Sequence, residues 1–235
     1  MKLKESVKVI QKNKIYYILN DELKKKKFKP WLAPVLCFLY DQLMRKLIFP
    51  KNFKGSIAKH FEILKSLYQN IHSKKILEIA TGSGSTAYLL NNDNSYTGID
   101  ISIGLLYQAV KKFEKNNFHD AEFFVADAND MPFSNDFFDV TICNLSLQFF
   151  SNIEIFIKEL KRVMKKDSIF YCSVPLSEIK DIKVKIPIHG NLYSKEELKT
   201  YFEKNEFEFL PEQFENGALL YFEAKLSSNE FKINP

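Results

Sequence analysis

Arginine is scarce in this chain. Of the 34 lysine and arginine residues among its 235 residues, only Arg45 and Arg162 are arginines. The formal net charge of +5 could suggest nucleic-acid binding. Recognition of bases and phosphates, however, depends strongly on the planar guanidinium group, which lysine lacks. We therefore interpret the basic excess as a compositional trait and do not expect a nucleic-acid partner.

Cysteine is also sparse, with Cys37, Cys143 and Cys172 as the only three residues. No two of them have Cys-x-x-Cys spacing, and the four histidines lack the spacing of metal ligands, so no metal site is predicted. The cysteines are odd in number, and Cys143 and Cys172 fall in predicted buried strands. Both features favour free core thiols in a reducing compartment.

Long uninterrupted apolar runs are missing. The N-terminus leads into no apolar segment of the kind a signal peptide needs, so a cytoplasmic location is expected. The longest apolar stretch, residues 31–49, contains a proline and several charged residues, which excludes a transmembrane span. It follows a lysine-rich run at 24–29. Peripheral contact with an anionic membrane is therefore an alternative, but we favour helices that cover a substrate pocket.

Two neighbouring segments carry the most information. Residues 75–84 read KILEIATGSG, and residues 96–100 read YTGID. An apolar run before a glycine turn, and a second one ending in an acid, predict two parallel strands whose carboxyl ends could hold a nucleoside. Gly82 and Gly84 would leave main-chain N–H groups open at the start of a helix predicted over 85–90. Asp100 follows at about the spacing of an acid that binds ribose hydroxyls.

The same glycines also fit the Gly-x-Gly-x-x-Ala form of a dinucleotide site, so a nicotinamide-dependent oxidoreductase is an alternative. Glu78, near the end of the first strand, argues against it, because a carboxylate would repel a pyrophosphate but could hold a cationic amino-acid cofactor. A third acid, Asp127, ends another predicted strand. A Met-Pro-Phe loop at 131–133 then leads to a fourth strand that ends near Asn144.

Together these segments resemble the cofactor-binding half of class I S-adenosylmethionine-dependent methyltransferases, from about residue 75 to 174 and weakly to 226. The resemblance implies S-adenosylmethionine as the cofactor. There are two departures: Ala80 replaces the first glycine most often found in the family, and residues 165–168 replace its Lys-Pro-Gly-Gly turn. The residues that the resemblance places around the cofactor are Glu78, Ala80, Thr81, Gly82, Gly84, Asp100, Ile101, Asp127, Ala128 and Asn144.

The resemblance also implies individual roles. Asp100 would accept hydrogen bonds from the ribose, Ile101 would pack on the adenine, and Asp127 with Ala128 would read its edge. Asn144 would face the reacting methyl group. Each strand-end aspartate could instead simply cap the following helix.

The pattern predicts an α/β fold with a Rossmann-like, doubly wound sheet of seven strands, mostly parallel with the last one antiparallel. Residues 1–72 are interpreted as a helical extension or lid, and residues 73–235 as the cofactor-binding domain. Strands are predicted near 75–80, 95–100, 122–126, 138–143 and 168–174, with a strand pair after 207. Helices are predicted near 84–91, 103–115 and 152–166.

The acceptor is less defined by the sequence. Methyl transfer needs alignment of the reactants more than a catalytic base. The aromatic and apolar segments expected around the pocket favour a hydrophobic or acyl-like small molecule. Tyr40, Gln148 and His189 are candidate substrate-binding residues.

Two local similarities suggest different acceptors. Residues 143–150 are similar to the biotin-pathway methyltransferases that act on malonyl-acyl-carrier protein. Residues 77–84 look closer to quinone C-methyltransferases, although the segment after Cys143 lacks their Gly-Leu-Arg-Asn. A catalytically inactive S-adenosylmethionine-binding module is a further alternative, and no oligomeric state is predicted.

Overall fold

The computed structural model describes residues 2–29, 34–177, 190–212 and 217–226. Nine strands in these ranges form one sheet in the order β1-β2-β5-β4-β3-β6-β7-β9-β8. The strands are β1 Val9–Lys12, β2 Ile15–Ile18, β3 Lys75–Ile79, β4 Ser95–Asp100, β5 Glu122–Val125, β6 Phe138–Asn144, β7 Met164–Pro175, β8 Phe207–Glu212 and β9 Leu219–Leu226. Neighbours from β2 through β7 are parallel, and β9 is antiparallel to both β7 and β8.

Helices cover both faces of this sheet. They are α1 Tyr40–Leu43, α2 Phe49–Lys51, α3 Ile57–Tyr68, α4 Ile103–Lys115, α5 Ile153–Val163 and α6 Lys195–Lys204. A π-helical segment, Met44–Ile48, joins α1 to α2, and short 3-10 helices span Pro34–Leu39, Ser85–Tyr88 and Leu147–Phe149. The predicted Rossmann-like α/β class is confirmed.

Local sequence explains where several helices begin. The Ser56 side chain accepts a hydrogen bond from the Lys59 amide at the start of α3, and Asn152 does the same from Ile155 in α5. Ser194 and Glu197 form the predicted capping box at α6. Each cap satisfies an N–H group that the first helical turn leaves unpaired.

Side chains of the buried strands point alternately to the two faces of the sheet, which divides the core into two halves. In β3, Ile76 packs with Phe113 and Phe123 on the face covered by α3 and α4. Leu77 and Ile79 belong to the opposite half, which includes Phe156 and Phe170. Successive strand residues point to opposite faces, so a strand covered on both sides is apolar almost throughout.

The predicted number of seven strands is wrong, because residues 9–18 form a hairpin within the region expected to be helical. Asn13 and Lys14, both at positive φ, make its two-residue turn, as two-residue hairpin loops require. Strand β2 then pairs in parallel with β5, and Tyr16 stacks on Phe124 with ring centroids 4.7 Å apart. The helical prediction holds for α3, while the division of the chain near residue 72 stays a prediction.

Two smaller expectations also fail. The helix predicted over 84–91 is only the four-residue 3-10 helix Ser85–Tyr88. The turn expected at 165–168 lies within β7, where Asp167 adopts a φ of 60° and the register with β6 shifts. Helix α5 therefore leads directly into β7. Within the described part of the chain, no helix has the length and apolar character needed to span a membrane.

Candidate functional site

Two adjoining cavities open at the carboxyl ends of strands β3 to β6. Cavity 1 has a volume of about 360 Å³ and cavity 2 one of about 320 Å³. Tyr40, Ala80, Gly82, Leu145 and Ser146 line both of them. Parallel α/β sheets bind their ligands at this edge, and a combined space of this size suits a nucleoside cofactor beside a small molecule.

Asp100 ends β4 and lines cavity 2. Its Oδ2 accepts a 2.9 Å hydrogen bond from the Gly82 amide, and its Oδ1 accepts a 2.7 Å bond from the Ser102 amide. Ser102 is the N-cap residue of α4, so Asp100 bonds to the backbone just before the helix and does not cap it, while its carboxylate lines cavity 2. Burial raises the pKa of Asp100 to about 6, although these backbone hydrogen bonds act to lower it. Further donors from a ligand would compensate the charge.

Asp127, Ala128 and Ile101 line the same cavity as Asp100. Asp127 follows β5, and its Oδ1 accepts a 2.9 Å hydrogen bond from the Asn129 amide. The structure thus brings together the residues predicted around the ribose and adenine. It adds Phe28 from the N-terminal segment, which also lines cavity 2 and which no sequence pattern singled out.

Glu78 lines cavity 1 from β3, but its carboxylate has an internal structural role. Its Oε2 accepts hydrogen bonds of 2.8 Å from Thr81, of 2.5 Å from Thr86, and a third from the Tyr96 hydroxyl. Glu78 has only 3% of its surface exposed, and this burial raises its pKa. These bonds hold the glycine turn in shape, so direct contact with a cationic ligand stays a prediction.

The two glycines of the turn serve different purposes. Gly82 has a φ of +56°, and a Cβ added there would lie 3.9 Å from Tyr40, an ordinary van der Waals contact without a clash. Gly84, at φ +77°, would place a Cβ only 2.6 Å from Ala109 Cα in α4. Gly82 therefore leaves room in the cavity, whereas Gly84 permits close packing of the turn against a helix.

Asn144 lies at the end of β6 and lines cavity 1, near the glycine turn. Its Oδ1 accepts a 3.0 Å hydrogen bond from Ser173, and its Nδ2 lies 3.1 Å from the Tyr68 hydroxyl. Tyr68 is buried, which raises its pKa. The amide is therefore held in a fixed orientation, although its contact with a methyl group stays a prediction.

The candidate substrate residues have different fates. Tyr40 lies between the two cavities, and burial raises the pKa of its hydroxyl. Gln148 lines neither cavity, because it is buried and its Nε2 donates a 2.8 Å bond to the Leu145 carbonyl. His189 lies outside the described residues. Of the three, only Tyr40 gains support from its position.

Sequence reasoning missed two polar groups that line cavity 1. In the first, Asp41 contacts both Ser83 and Lys112, each at 2.6 Å. In the second, the buried His60 places Nδ1 at 2.8 Å from the Tyr221 hydroxyl. His60 lies on the cavity-facing side of α3 with the apolar residues that revealed the helix, and that position was the only available signal.

Comparison with known proteins finds a family match for the region that contains the strands around the two cavities. Residues 77–172 match the family described as "Methyltransferase domain". These residues form a methyltransferase domain. The predicted resemblance of this region to class I S-adenosylmethionine-dependent methyltransferases is confirmed.

Two curated relatives are similar to this chain over about half of its length. A demethylmenaquinone methyltransferase of Thermotoga maritima is 32% identical over 130 residues, covering 54% of this chain and 52% of the relative. A ubiquinone/menaquinone biosynthesis C-methyltransferase, UbiE, of Rickettsia massiliae is 34% identical over 118 residues, covering 47% of each. The chain spans about half the length of these curated relatives.

Solved structures share the fold at lower sequence identity. A SAM-dependent methyltransferase from Aquifex aeolicus has a TM-score of 0.63 and 17% identity, covering 83% of this chain and 99% of its own. The fold is thus shared with a solved structure of low sequence identity. A shared fold does not define a function, so the site must be judged from the residues of this chain.

The residues of the two cavities fit S-adenosylmethionine. The incompletely compensated carboxylate of Asp100 suits a ribose with two hydroxyl donors, and Ile101 and Ala128 offer an apolar surface for a base. Gly82 leaves its backbone open where the cavities adjoin. The methionine end would then lie in cavity 1, beside Glu78 and Asn144.

Proposed function

We propose that this protein transfers a methyl group from S-adenosylmethionine to an apolar small molecule. The observation that carries the proposal is the position of Asp100 and Asp127 in one cavity that adjoins a second at Gly82 and Tyr40, where the N-terminal helices supply an apolar wall. An adenosine group held in cavity 2 would direct its reactive end towards an acceptor in cavity 1.

The bound cofactor would supply a methyl group on a sulfonium, which is open to in-line attack. The task of the chain is then to align the acceptor with that group and to exclude water. Tyr40 and Leu145 line both cavities, and Asn144, which lines cavity 1, is held by Ser173 and Tyr68. A fixed amide and an aromatic wall suit positioning rather than proton transfer.

The acceptor is proposed to be apolar because of the residues that line cavity 1. The N-terminal helices contribute Met44, Phe49, Ile57, Phe61 and Leu64. The curated relatives are named as a demethylmenaquinone methyltransferase and a ubiquinone/menaquinone biosynthesis C-methyltransferase. These names support an apolar ring compound as the acceptor. An acyl-carrier-linked acceptor has no such support from the comparisons, and it is retained as an alternative outcome of the test.

Binding is tested first, by calorimetry with S-adenosylmethionine and with S-adenosylhomocysteine. The protein should bind both, and Asp100→Ala should weaken binding by about 1.5 to 3 kcal/mol, the value of a charge-assisted hydrogen bond. Asp21→Ala is the matched control, because Asp21 is exposed and lines neither cavity. If neither compound binds the wild-type protein, the proposal is wrong.

Turnover is tested with a methyl-labelled donor and mass spectrometry of quinone-precursor, acyl-carrier and amine acceptors. Labelled product from the first class alone would support the proposed acceptor. Cofactor binding without transfer to any component of a cell extract would instead favour an inactive binding module. A change in the fluorescence of reduced nicotinamide cofactor on mixing would favour the oxidoreductase alternative.

A further inference from the structure

His60 interrupts an otherwise apolar part of cavity 1. Its neighbours in the cavity wall on α3 are Ile57, Phe61 and Leu64, and Phe49 lies opposite with its ring centroid 5.1 Å from the imidazole. Arg45 also borders this cavity, but it is exposed, so its charge stays at the solvent side. A ligand that binds against these apolar side chains therefore meets the buried imidazole of His60.

The imidazole of His60 is held in place by one hydrogen-bonded partner. Its Nδ1 lies 2.8 Å from the hydroxyl of Tyr221, a fully buried residue of β9. The histidine itself is 3% exposed, and burial lowers its pKa to about 3. It is therefore neutral at physiological pH and offers a ligand hydrogen bonding without charge.

The second ring nitrogen determines what this position can bind. His60 lines the cavity and its Nδ1 is engaged by Tyr221, so Nε2 is the ring nitrogen left to bond a molecule bound there. If Tyr221 donates to Nδ1, Nε2 carries the proton and donates; in the other tautomer, Nε2 accepts. A hydroxyl group can both donate and accept, so it satisfies His60 in either tautomer.

We propose that His60 binds a hydroxyl group of the methyl acceptor, so that cavity 1 takes an uncharged, mainly hydrocarbon or aromatic alcohol or phenol. This inference rests on the proposed function and narrows its substrate class. A carboxylate at the same place would be buried next to a neutral ring, and an uncompensated buried charge is strongly unfavourable. The position next to His60 therefore favours a hydroxyl group over a carboxylate.

The test uses three probes of one shape: 2-naphthol, naphthalene and 2-naphthoate. Each is titrated by fluorescence at pH 7.5, with and without saturating S-adenosylhomocysteine. The wild-type protein should bind 2-naphthol about tenfold more tightly than naphthalene, the factor expected for one net hydrogen bond, and should bind 2-naphthoate most weakly. In His60→Phe, 2-naphthol should bind no better than naphthalene.

Two further variants sharpen the result. His60→Gln keeps a donor and an acceptor and should retain part of the preference for 2-naphthol. His72→Phe is the matched control, because His72 is exposed and bonds to Asp93 outside both cavities. It should leave the preference unchanged.

A measurement on the wild-type protein covers the case in which both His60 variants fail to fold. By NMR, the ring-nitrogen signals of His60, recognised by its neutral form at pH 5, should shift on addition of 2-naphthol but not of naphthalene. Equal binding of the three probes, a preference for 2-naphthoate, or no binding of 2-naphthol would overturn the inference. Because S-adenosylhomocysteine binding is measured separately, its failure identifies an error in the proposed function instead.

Discussion

The carboxylate of Asp41 lies 2.6 Å from the ammonium group of Lys112, and its other oxygen accepts a 2.6 Å hydrogen bond from Ser83. Asp41 belongs to α1, Ser83 to the glycine turn and Lys112 to α4. The contact therefore ties the N-terminal helices to the wall of the proposed cofactor site. All three residues line cavity 1, so its shape depends on this connection.

We expect Asp41→Asn to weaken this connection. The Lys112 side chain is 16% exposed and that of Asp41 44%, so the ion pair is partly shielded from solvent. Its loss should reduce the free energy of unfolding by at most about 1 kcal/mol. Affinity for S-adenosylhomocysteine should also fall several-fold. Urea denaturation and calorimetry measure the two effects. Glu114→Gln, which removes an exposed pair with Lys14 from the same helix, should alter neither quantity.

Gly84→Ala and Gly82→Ala should separate stability from binding. At Gly84 the new methyl group would collide with Ala109 and the backbone is left-handed, so we expect a loss of about 2 to 4 kcal/mol in unfolding free energy. At Gly82 only the backbone strain applies, at about 1 kcal/mol. There the added methyl group occupies cavity space and should reduce cofactor affinity. Equal destabilisation by the two variants would contradict the assigned roles.

Cofactor affinity should depend on pH through Asp100. Ribose hydroxyls donate to the ionised carboxylate, and burial raises the pKa of Asp100 to about 6. The binding-competent form is therefore complete well above pH 6, and it declines about tenfold per pH unit below it. Dissociation constants for S-adenosylhomocysteine between pH 5 and pH 8 measure this dependence. Asp100→Asn should bind weakly at every pH, and a wild-type affinity that does not change across this range would exclude the role.

His60 should make folding sensitive to acid. Its pKa is about 3 in the folded state against an ordinary value of 6.5, so between these values the unfolded chain binds the extra proton. Stability is consequently lost as pH falls through this range, by up to about 1.4 kcal/mol per pH unit. His60→Phe should reduce that slope in denaturation experiments from pH 7 to pH 5. The same slope in His60→Phe and wild type would show that His60 is not buried as a neutral ring.

The residues around the predicted nucleoside site could be predicted from the sequence because they follow strong local patterns. Each of Glu78, Asp100 and Asp127 stands at or near the end of an apolar run, and parallel strands bring such ends to one edge of the sheet. Helices α3 and α6 were equally readable, from apolar periodicity and from the Ser194 capping box. The binding roles of the three acids stay predictions until ligand binding is measured.

The N-terminal hairpin could not be recognised in the same way. Its outer strand, Val9–Lys12, is largely exposed and carries polar residues, and its turn has Asn-Lys where Asn-Gly is the common signal. What stabilises it is the edge of β5, which is more than a hundred residues away in the chain and which β2 covers by parallel pairing. No local propensity contains that contact.

The sequence by itself determined the class of fold and the acids and glycines of the proposed cofactor site, because strand ends, turns and capping residues act over a few neighbours. Only the tertiary structure decided that Gly84 serves packing, that Glu78 is bound by three hydroxyls, and that His60 meets Tyr221 across 161 positions. Burial and hydrogen bonding between distant segments set the charge and orientation of these groups, and both properties arise only when the chain is packed.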